Sequence, residues 1–341
     1  MGATLFAIDP DNINHLKKLA SLAQRVKLDD MYGSRVLRTS FWKFQNEGRA
    51  VSLVASVDKK IVAHIGLKRD PKFSNHIQVS WDMFDPEYFS SYAEVTSKFQ
   101  CMLEEYLSRA NMNVVYGFFD VERESPPFAV DVLELYPTAI LPFAHKVGNE
   151  RLSPQLCIRD MSHVRSEKKI FLPSSHKAIV RDMFLQHQVT SCSTADQGSI
   201  EDKALSWEAH QSHRHDRVTL YLSQAESSDT APLRKYLRSL NRSHVFLVID
   251  LCMAHNESIF KLLDQEEFHW CGILPHLRNT HSVVFYRSFG QDLIDCNGYL
   301  QGSEIILKYL NWQREDQARD QKINQEHENT AFNDSHYLET S

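Results

Sequence analysis

Two stretches of this chain are apolar along almost their whole length: NVVYGFF, Asn113 to Phe119, and HVFLVIDL, His244 to Leu251. A strand with one wet face alternates apolar and polar residues. A run that is apolar on both sides of the pleat belongs to a strand covered on both faces. Segments with helical spacing lie before and after each run. The chain therefore predicts two central strands, each in a sheet layered with helices.

The surrounding elements follow from the same periodicities. AVSLVASV (Ala50 to Val57) and KIVAHIGLKR (Lys60 to Arg69) are two strands joined by Asp58 and Lys59, a hairpin. HIQVSWDMF is a third strand, and LFAID a short one near the start. Ile13, Leu16, Leu19 and Leu22 give Asn12 to Leu28 a helical stripe, and Arg35 to Phe44 is a second helix. A long helix runs from Ser91 to about Arg109, burying Val95, Phe99, Met102, Leu103 and Tyr106. Ser91 and Glu94 have capping-box spacing at its start. A short helix over Pro127 to Leu135 and the strands TAILPFAHKV and QLCIRDM complete the half.

After a polar joint, Ser162 to Lys168, the pattern restarts. KIFLP is a strand and Ser174 to Gln188 a helix with serine caps. RVTLYLSQA, a helix over Ala231 to Leu240, the central strand, a helix over Glu257 to Gln265, FHWCGILPHL, HSVVFYRSF and a helix over Gly302 to Trp312 follow. Cys192 to His215 is polar and carries no period. Both halves end in the order strand, helix, strand, helix, strand, strand. The 341 residues suit two domains: 1–161, 169–312 and a disordered polar tail, 313–341. The fold class is α+β, two units in tandem, each a twisted mixed sheet flanked by helices.

Composition removes several function classes. A net charge of -6 argues against nucleic acid and anionic membranes as general partners. No apolar run approaches the roughly 20 residues that span a bilayer. The N-terminus has no basic start followed by an apolar core, so no secretory signal is expected, and the location expected is the cytoplasm. The six cysteines are scattered without a C-x-x-C pair and read as reduced thiols. His210, His213, His215 and Asp216 form the one histidine cluster. It could hold zinc, but a solvated loop is the leading reading, and no metal is assigned. No Walker loop, G-x-S-x-G or H-E-x-x-H is present.

The element order, hairpin first and then β-α-β-α-β-β, resembles the GNAT superfamily of acyl-CoA N-acyltransferases. It is most similar to a bacterial group with two such units in one chain. The words that carry the resemblance are GRAVSLVASVDKKIVAHIGL from Gly48 and VFLVIDLCMAHNESIFKLLDQEEFHWCGILPHLRN from Val245. The resemblance implies transfer of an acyl group from acyl-CoA, or from an acyl-carrier donor, to an amine. Acyl-CoA would be a co-substrate, with no permanently bound cofactor. The partner would be a small-molecule amine or a protein; the oligomeric state stays open.

The family's phosphate motif, Arg/Gln-x-x-Gly-x-Gly/Ala, binds the coenzyme diphosphate on backbone N–H groups at a helix start. The matching positions here are Ser90, Ser91 and Tyr92, where no glycine occurs between Gly66 and Gly117 and Glu87 adds a like charge. Two readings follow: a divergent site in which the serine hydroxyls donate to phosphate, or a structural capping loop, which stands first. The corresponding turn of the second half, Ser223 to Lys235, also lacks the motif, which places the active site in the N-terminal half. The resemblance further implies a carboxylate base, for which Asp82 is the nearest, and a tyrosine acid near the last crossover, Tyr136, with Tyr116 on the intervening strand. A solvated strand-end acid and a packed aromatic are the plainer readings of Asp82 and Tyr136. The alternative function is a non-catalytic module of the same fold that binds a protein partner or a small ligand.

Overall fold

The computed structural model describes residues 2–26, 42, 45–119, 127–142, 144–147, 150–161, 170–171, 177–186, 204–213, 216–224, 228–240, 244–252, 257–275, 281–288, 303 and 306. In the first half, β1 (Thr4–Ala7), α1 (Ile13–Arg25), β2 (Ala50–Val57), β3 (Lys60–Arg69) and β4 (His76–Phe84) come in sequence. A 3₁₀ helix over Pro86–Ser91, α2 (Tyr92–Arg109), β5 (Val114–Phe119), α3 (Phe128–Leu133) and β6 (Tyr136–Ile140) follow. A small ribbon of β7 (His145–Val147) and β8 (Glu150–Leu152) precedes β9 (Gln155–Asp160). The second half holds α4 (Lys177–Gln186), β10 (Ser206–Ser212), β11 (Arg217–Gln224), α5 (Ala231–Ser239), β12 (His244–Asp250), α6 (Glu257–Gln265), β13 (His269–Leu274) and β14 (Ser282–Ser288).

The local reasons are visible in the backbone. Asp58 and Lys59 both have positive φ, 49° and 67°, the geometry that a two-residue hairpin needs to match strand twist. Asn12 caps α1, its side chain accepting from the Asn14 N–H at 3.1 Å. Leu16, Leu19, Leu22 and Ala23 are the buried stripe of α1, whereas Ile13 is 55% exposed. The run TAILPFAHKV is not one strand: β6 ends at Ile140 and β7 begins at His145.

Among the described residues, all strands but β7 and β8 form one 12-stranded sheet, ordered β1-β2-β3-β4-β5-β9-β6-β13-β14-β12-β11-β10. Outward from the β6–β13 contact, the order is β9, β5, β4 on one side and β14, β12, β11 on the other. The two central runs, β5 and β12, each make one parallel pair, with β4 and β11 respectively. Each pair is bridged by a helix, α2 or α5, as parallel crossovers require. The expected order β-α-β-α-β-β thus occurs twice, head to head. β6 and β13 meet antiparallel through the pair Gly272 and Ala139.

Helices α2 and α3 cover one face of the first half, burying Val79, Val95, Phe99, Val115, Phe119 and Phe128 together. Helix α1 covers the opposite face with Val54, Ile61, Met83 and Trp42. A third core spans both halves, joining Tyr116, Leu156 and Ile158 to β11, β12, β13 and β14. The polar stretch without a period contains β10, an edge strand that leaves Glu208 and Ala209 exposed. The helix expected over Arg35 to Phe44, the joint at Ser162 to Lys168, the helix expected over Gly302 to Trp312 and the tail lie wholly or almost wholly outside the described residues.

Candidate functional site at the parting of two parallel strands

The β4–β5 ladder is short. It pairs His76 to Val79 with Val114 to Gly117 and then stops. Strand β4 continues to Phe84 while still bonded to β3, and β5 continues to Phe119 while bonded to β9. Past Val79 and Gly117 the two strands therefore separate. Alternate backbone N–H and C=O groups of residues 80–84 face away from β3, toward the gap. The second half differs. There β11 and β12 pair through six successive residues, Arg217 to Leu222 with His244 to Ile249.

Gly117 marks the vertex. A Cβ on it would stand 2.6 Å from the Phe119 ring and 3.2 Å from Val79 Cβ. The missing side chain lets the Phe119 ring fold back onto the strand where the gap begins. On the helix side, Phe84 contacts Tyr92 with ring centroids 4.7 Å apart and Phe128 at 5.3 Å. Phe89 stacks on Tyr92 at 5.5 Å and is 71% exposed. An aromatic ledge thus lies beside the end of β4.

The expected capping box is absent. Ser91 stands at the N-cap of α2 but makes no side-chain cap bond. Glu94 instead accepts from the Ala3 N–H at 2.9 Å and from Lys98 at 2.7 Å, and the Lys98 ammonium beside it lowers its pKa. The cap sits one turn earlier. Asp85 Oδ1 accepts from the Glu87 N–H at 3.2 Å, opening the 3₁₀ helix with Pro86 behind it. Asp85 is 1% exposed, and its Oδ2 lies 2.6 Å from Arg25 Nε at the end of α1. The signal was in the sequence: Asp85-Pro86 is an N-cap acid followed by an N1 proline.

Asp82 is buried, and its Oδ2 accepts from the Ala129 N–H at 3.2 Å. It thereby holds the start of α3 over the widening gap. Tyr136 opens β6 and is half exposed, opposite Ile158. Ser90 is exposed and Ser91 half-buried. The Tyr92 hydroxyl donates to the Asp131 carboxylate on α3; burial first, and then Asp131, raise the pKa of this phenol. Tyr116, on the other face of β5, donates to Asp70 Oδ2 at 2.7 Å and is likewise raised, chiefly by burial. The structure therefore gathers Asp82 and Tyr92 around α3 at the gap, while Ser90 and Ser91 follow the Asp85 cap. Of the histidine cluster, His215 lies outside the described residues, and among the described residues no group of three metal-ligating side chains exists. His210 Nε2 lies 2.8 Å from Glu208 on the edge strand, without hydrogen-bond alignment.

No protein-family model and no curated protein matches this chain. Solved structures of similar fold do exist. One is an N-acetyltransferase from Staphylococcus aureus, with 8% identity, a TM-score of 0.38, and 48% of this chain against 100% of that one. Another is the ribosomal-protein-S18-alanine N-acetyltransferase from Escherichia coli, with 11% identity, a TM-score of 0.35, and 48% of this chain against 96% of that one. A third is a spermidine N-acetyltransferase chimera that includes Vibrio cholerae sequence, with 14% identity, a TM-score of 0.37, and 48% of this chain against 97% of that one. In each case about half of this chain covers nearly the whole of the other.

Proposed function

We propose that this chain is an N-acyltransferase whose thioester donor lies in the gap between β4 and β5 of the first half. The observation that carries the reading is the parting of the ladder at Val79 and Gly117, set against the continuous β11–β12 ladder. A parting between two strands leaves room for an extended amide-containing arm to lie alongside them as a further strand would. The second half then acts as a scaffold that continues the sheet.

In the reaction, the amine nitrogen attacks the thioester carbonyl carbon and a tetrahedral oxyanion forms. Backbone N–H groups of β4 that face away from β3 suit that oxyanion, because fixed dipoles need no rearrangement when charge develops. The C–S bond then breaks, the thiolate takes a proton, and the amine proton leaves to base or water. Tyr136, half exposed at the start of β6, is the proton donor we assign to the thiolate. Asp82 is a positioning residue, since its carboxylate holds the start of α3. The acceptor is a small amine or a protein amine.

The test is calorimetry of the full chain with acetylated thioesters, then mass spectrometry of acetyl transfer to a panel of primary amines. Binding and transfer are expected, and Tyr136→Phe should lower kcat about 10²-fold with little change in thioester affinity. If the protein binds no thioester at millimolar concentration, the enzyme reading falls. A binding module of the same fold then takes its place. That second reading is favoured by one observation, the loop at Ser90 to Tyr92, which carries no glycine.

A further inference from the structure

The face of the sheet under α1 bears on the acceptor, if the chain is a transferase, a reading on which this inference rests. Residues paired directly across a ladder share a face. Ile8, Ser52, Gly66 and Trp81 form one row across β1 to β4: the Ile8 N–H bonds the Ser52 carbonyl at 2.8 Å, Ser52 pairs with Gly66, and Gly66 pairs with Trp81. Val54, His64 and Met83 form the next row. Val54 and Met83 lie in the apolar core beneath α1. Ser52 and His64 are buried with them, both at 0% exposure. Gly66 puts no side chain between Ser52 and Trp81, and the rings of His64 and Trp81 come together beside it with centroids 5.3 Å apart. Strand β4 also borders the gap, so this row ends one strand from the parting.

The polar groups here are not all satisfied. His64 Nε2 lies 2.8 Å from Ser52 Oγ, whereas Nδ1 is buried with no hydrogen-bond partner among the described residues. Gln45 Nε2 donates to the Ile8 carbonyl at 2.5 Å, at the end of the same row, and its Oε1 is likewise buried and unpaired. With the Nε2–H of His64 donating to Ser52, Nδ1 is a bare acceptor. Both unpaired atoms are then acceptors. Buried acceptors are completed by a group that brings N–H or O–H donors. That group is also uncharged. Burial keeps the imidazole neutral, its pKa lowered to about 3. Ser52, Val54, Trp81 and Met83 carry no charge, so no carboxylate among them offsets the cost of burying an ammonium. Asp85, two residues past Met83, is bonded to Arg25 at 2.6 Å. The walls are apolar: buried Met83, and half-buried Trp81 with Trp42 edge-on at 5.7 Å.

We propose that the acceptor is an uncharged primary amine on an apolar, ring-bearing body, its nitrogen donating to His64 Nδ1 on the α1 face. The uncharged form is also the reactive one, because attack on a thioester needs the nitrogen lone pair. Ser52 is the positioning residue that holds the imidazole in the accepting tautomer.

The experiment follows the histidine nitrogens of the full chain by NMR while phenethylamine or spermidine is added with no thioester present. Phenethylamine should shift the bare Nδ1 resonance of one buried imidazole and bind about tenfold more tightly than spermidine, whose charges would have to be shed. His64→Gln should remove that resonance. In the transfer assay it should raise KM for phenethylamine about tenfold and leave thioester affinity unchanged, a split that a purely structural role would not give. Where His64→Gln does not fold, Ser52→Ala, which removes the partner of Nε2, identifies the same resonance, and the wild-type titration needs no variant. Spermidine binding as tightly as phenethylamine, or an Nδ1 resonance that ignores both amines, would overturn this inference and leave the donor reading in place. A shifted Nδ1 in a chain that binds no thioester would overturn the transferase reading and leave an amine-binding site.

Discussion

His64 stands in the middle of β3, fully buried against Trp81, its Nε2 2.8 Å from Ser52 Oγ and its Nδ1 without a hydrogen-bond partner. Burial lowers its pKa to about 3. The unfolded chain binds a proton near pH 6.5, and the folded chain does not until near pH 3. Stability from this group is therefore complete above about pH 6.5 and is lost as pH falls toward 3, with a slope approaching about 1.4 kcal/mol per pH unit. His64→Gln should flatten that slope between pH 6 and 4. Equal slopes for both proteins in urea melts would refute the assignment. Glu266 makes a contrasting case. It is 8% exposed and meets Arg287 at 3.2 Å, Arg238 at 2.8 Å and Arg234 at 3.6 Å. Glu266→Ala removes the carboxylate that pairs with the buried Arg287 and should cost about 3–5 kcal/mol. Arg238→Ala, on an exposed side chain, should cost under about 1 kcal/mol. Chemical denaturation of the two variants decides the order.

At the scale of elements, the approach to α2 is the point where local pattern and tertiary contact compete. Ser91 and Glu94 have the right spacing for a capping box, but Glu94 is drawn to Ala3 and Lys98, and the 3₁₀ helix makes a serine cap unnecessary. Asp85 carries that role, together with the ion pair to α1. Asp85→Ala should therefore destabilise by about 2–4 kcal/mol, while Ser91→Ala stays within about 0.5 kcal/mol of wild type. A larger cost at Ser91 in equilibrium unfolding would restore the capping box. The edge strand β10 was illegible for a related reason. Its polar residues face water on both sides, so no alternation marks it, and only its ladder with β11 makes it a strand.

The whole molecule turns on the seam between β6 and β13. Gly272 has φ of 145°, and a Cβ there would fall 2.4 Å from both Ala139 Cα and the Thr138 carbonyl oxygen. Backbone meets backbone, so nothing can swing aside. Gly272→Val should destabilise by several kcal/mol or prevent folding. The seam is reinforced by Arg217 on β11, which donates to the Ala144 carbonyl at 3.0 Å, and by the core shared across the halves. We propose 1–161 and 169–312 as two units that are not independent. Expressed alone, residues 1–161 should expose that shared core and run as an aggregate on size exclusion. A monodisperse fragment with a native circular dichroism spectrum would show the opposite.

What the chain determines by itself is whatever depends on near neighbours. Apolar runs mark β5 and β12, Asp58 and Lys59 mark the hairpin, stripes mark α1 and α2, and the repeated order marks the twofold plan of the sheet. These rest on periodicity and turn chemistry, which act over a few residues. The tertiary structure decided the rest. No local signal shows that β4 and β5 part after Val79 while β11 and β12 stay paired, or that Asp82 holds α3. Nor does any local signal show that two halves fuse through Gly272 and Ala139. Those outcomes depend on which backbone groups meet across the sheet, and sequence spacing carries no record of contacts between residues 47 or 133 positions apart.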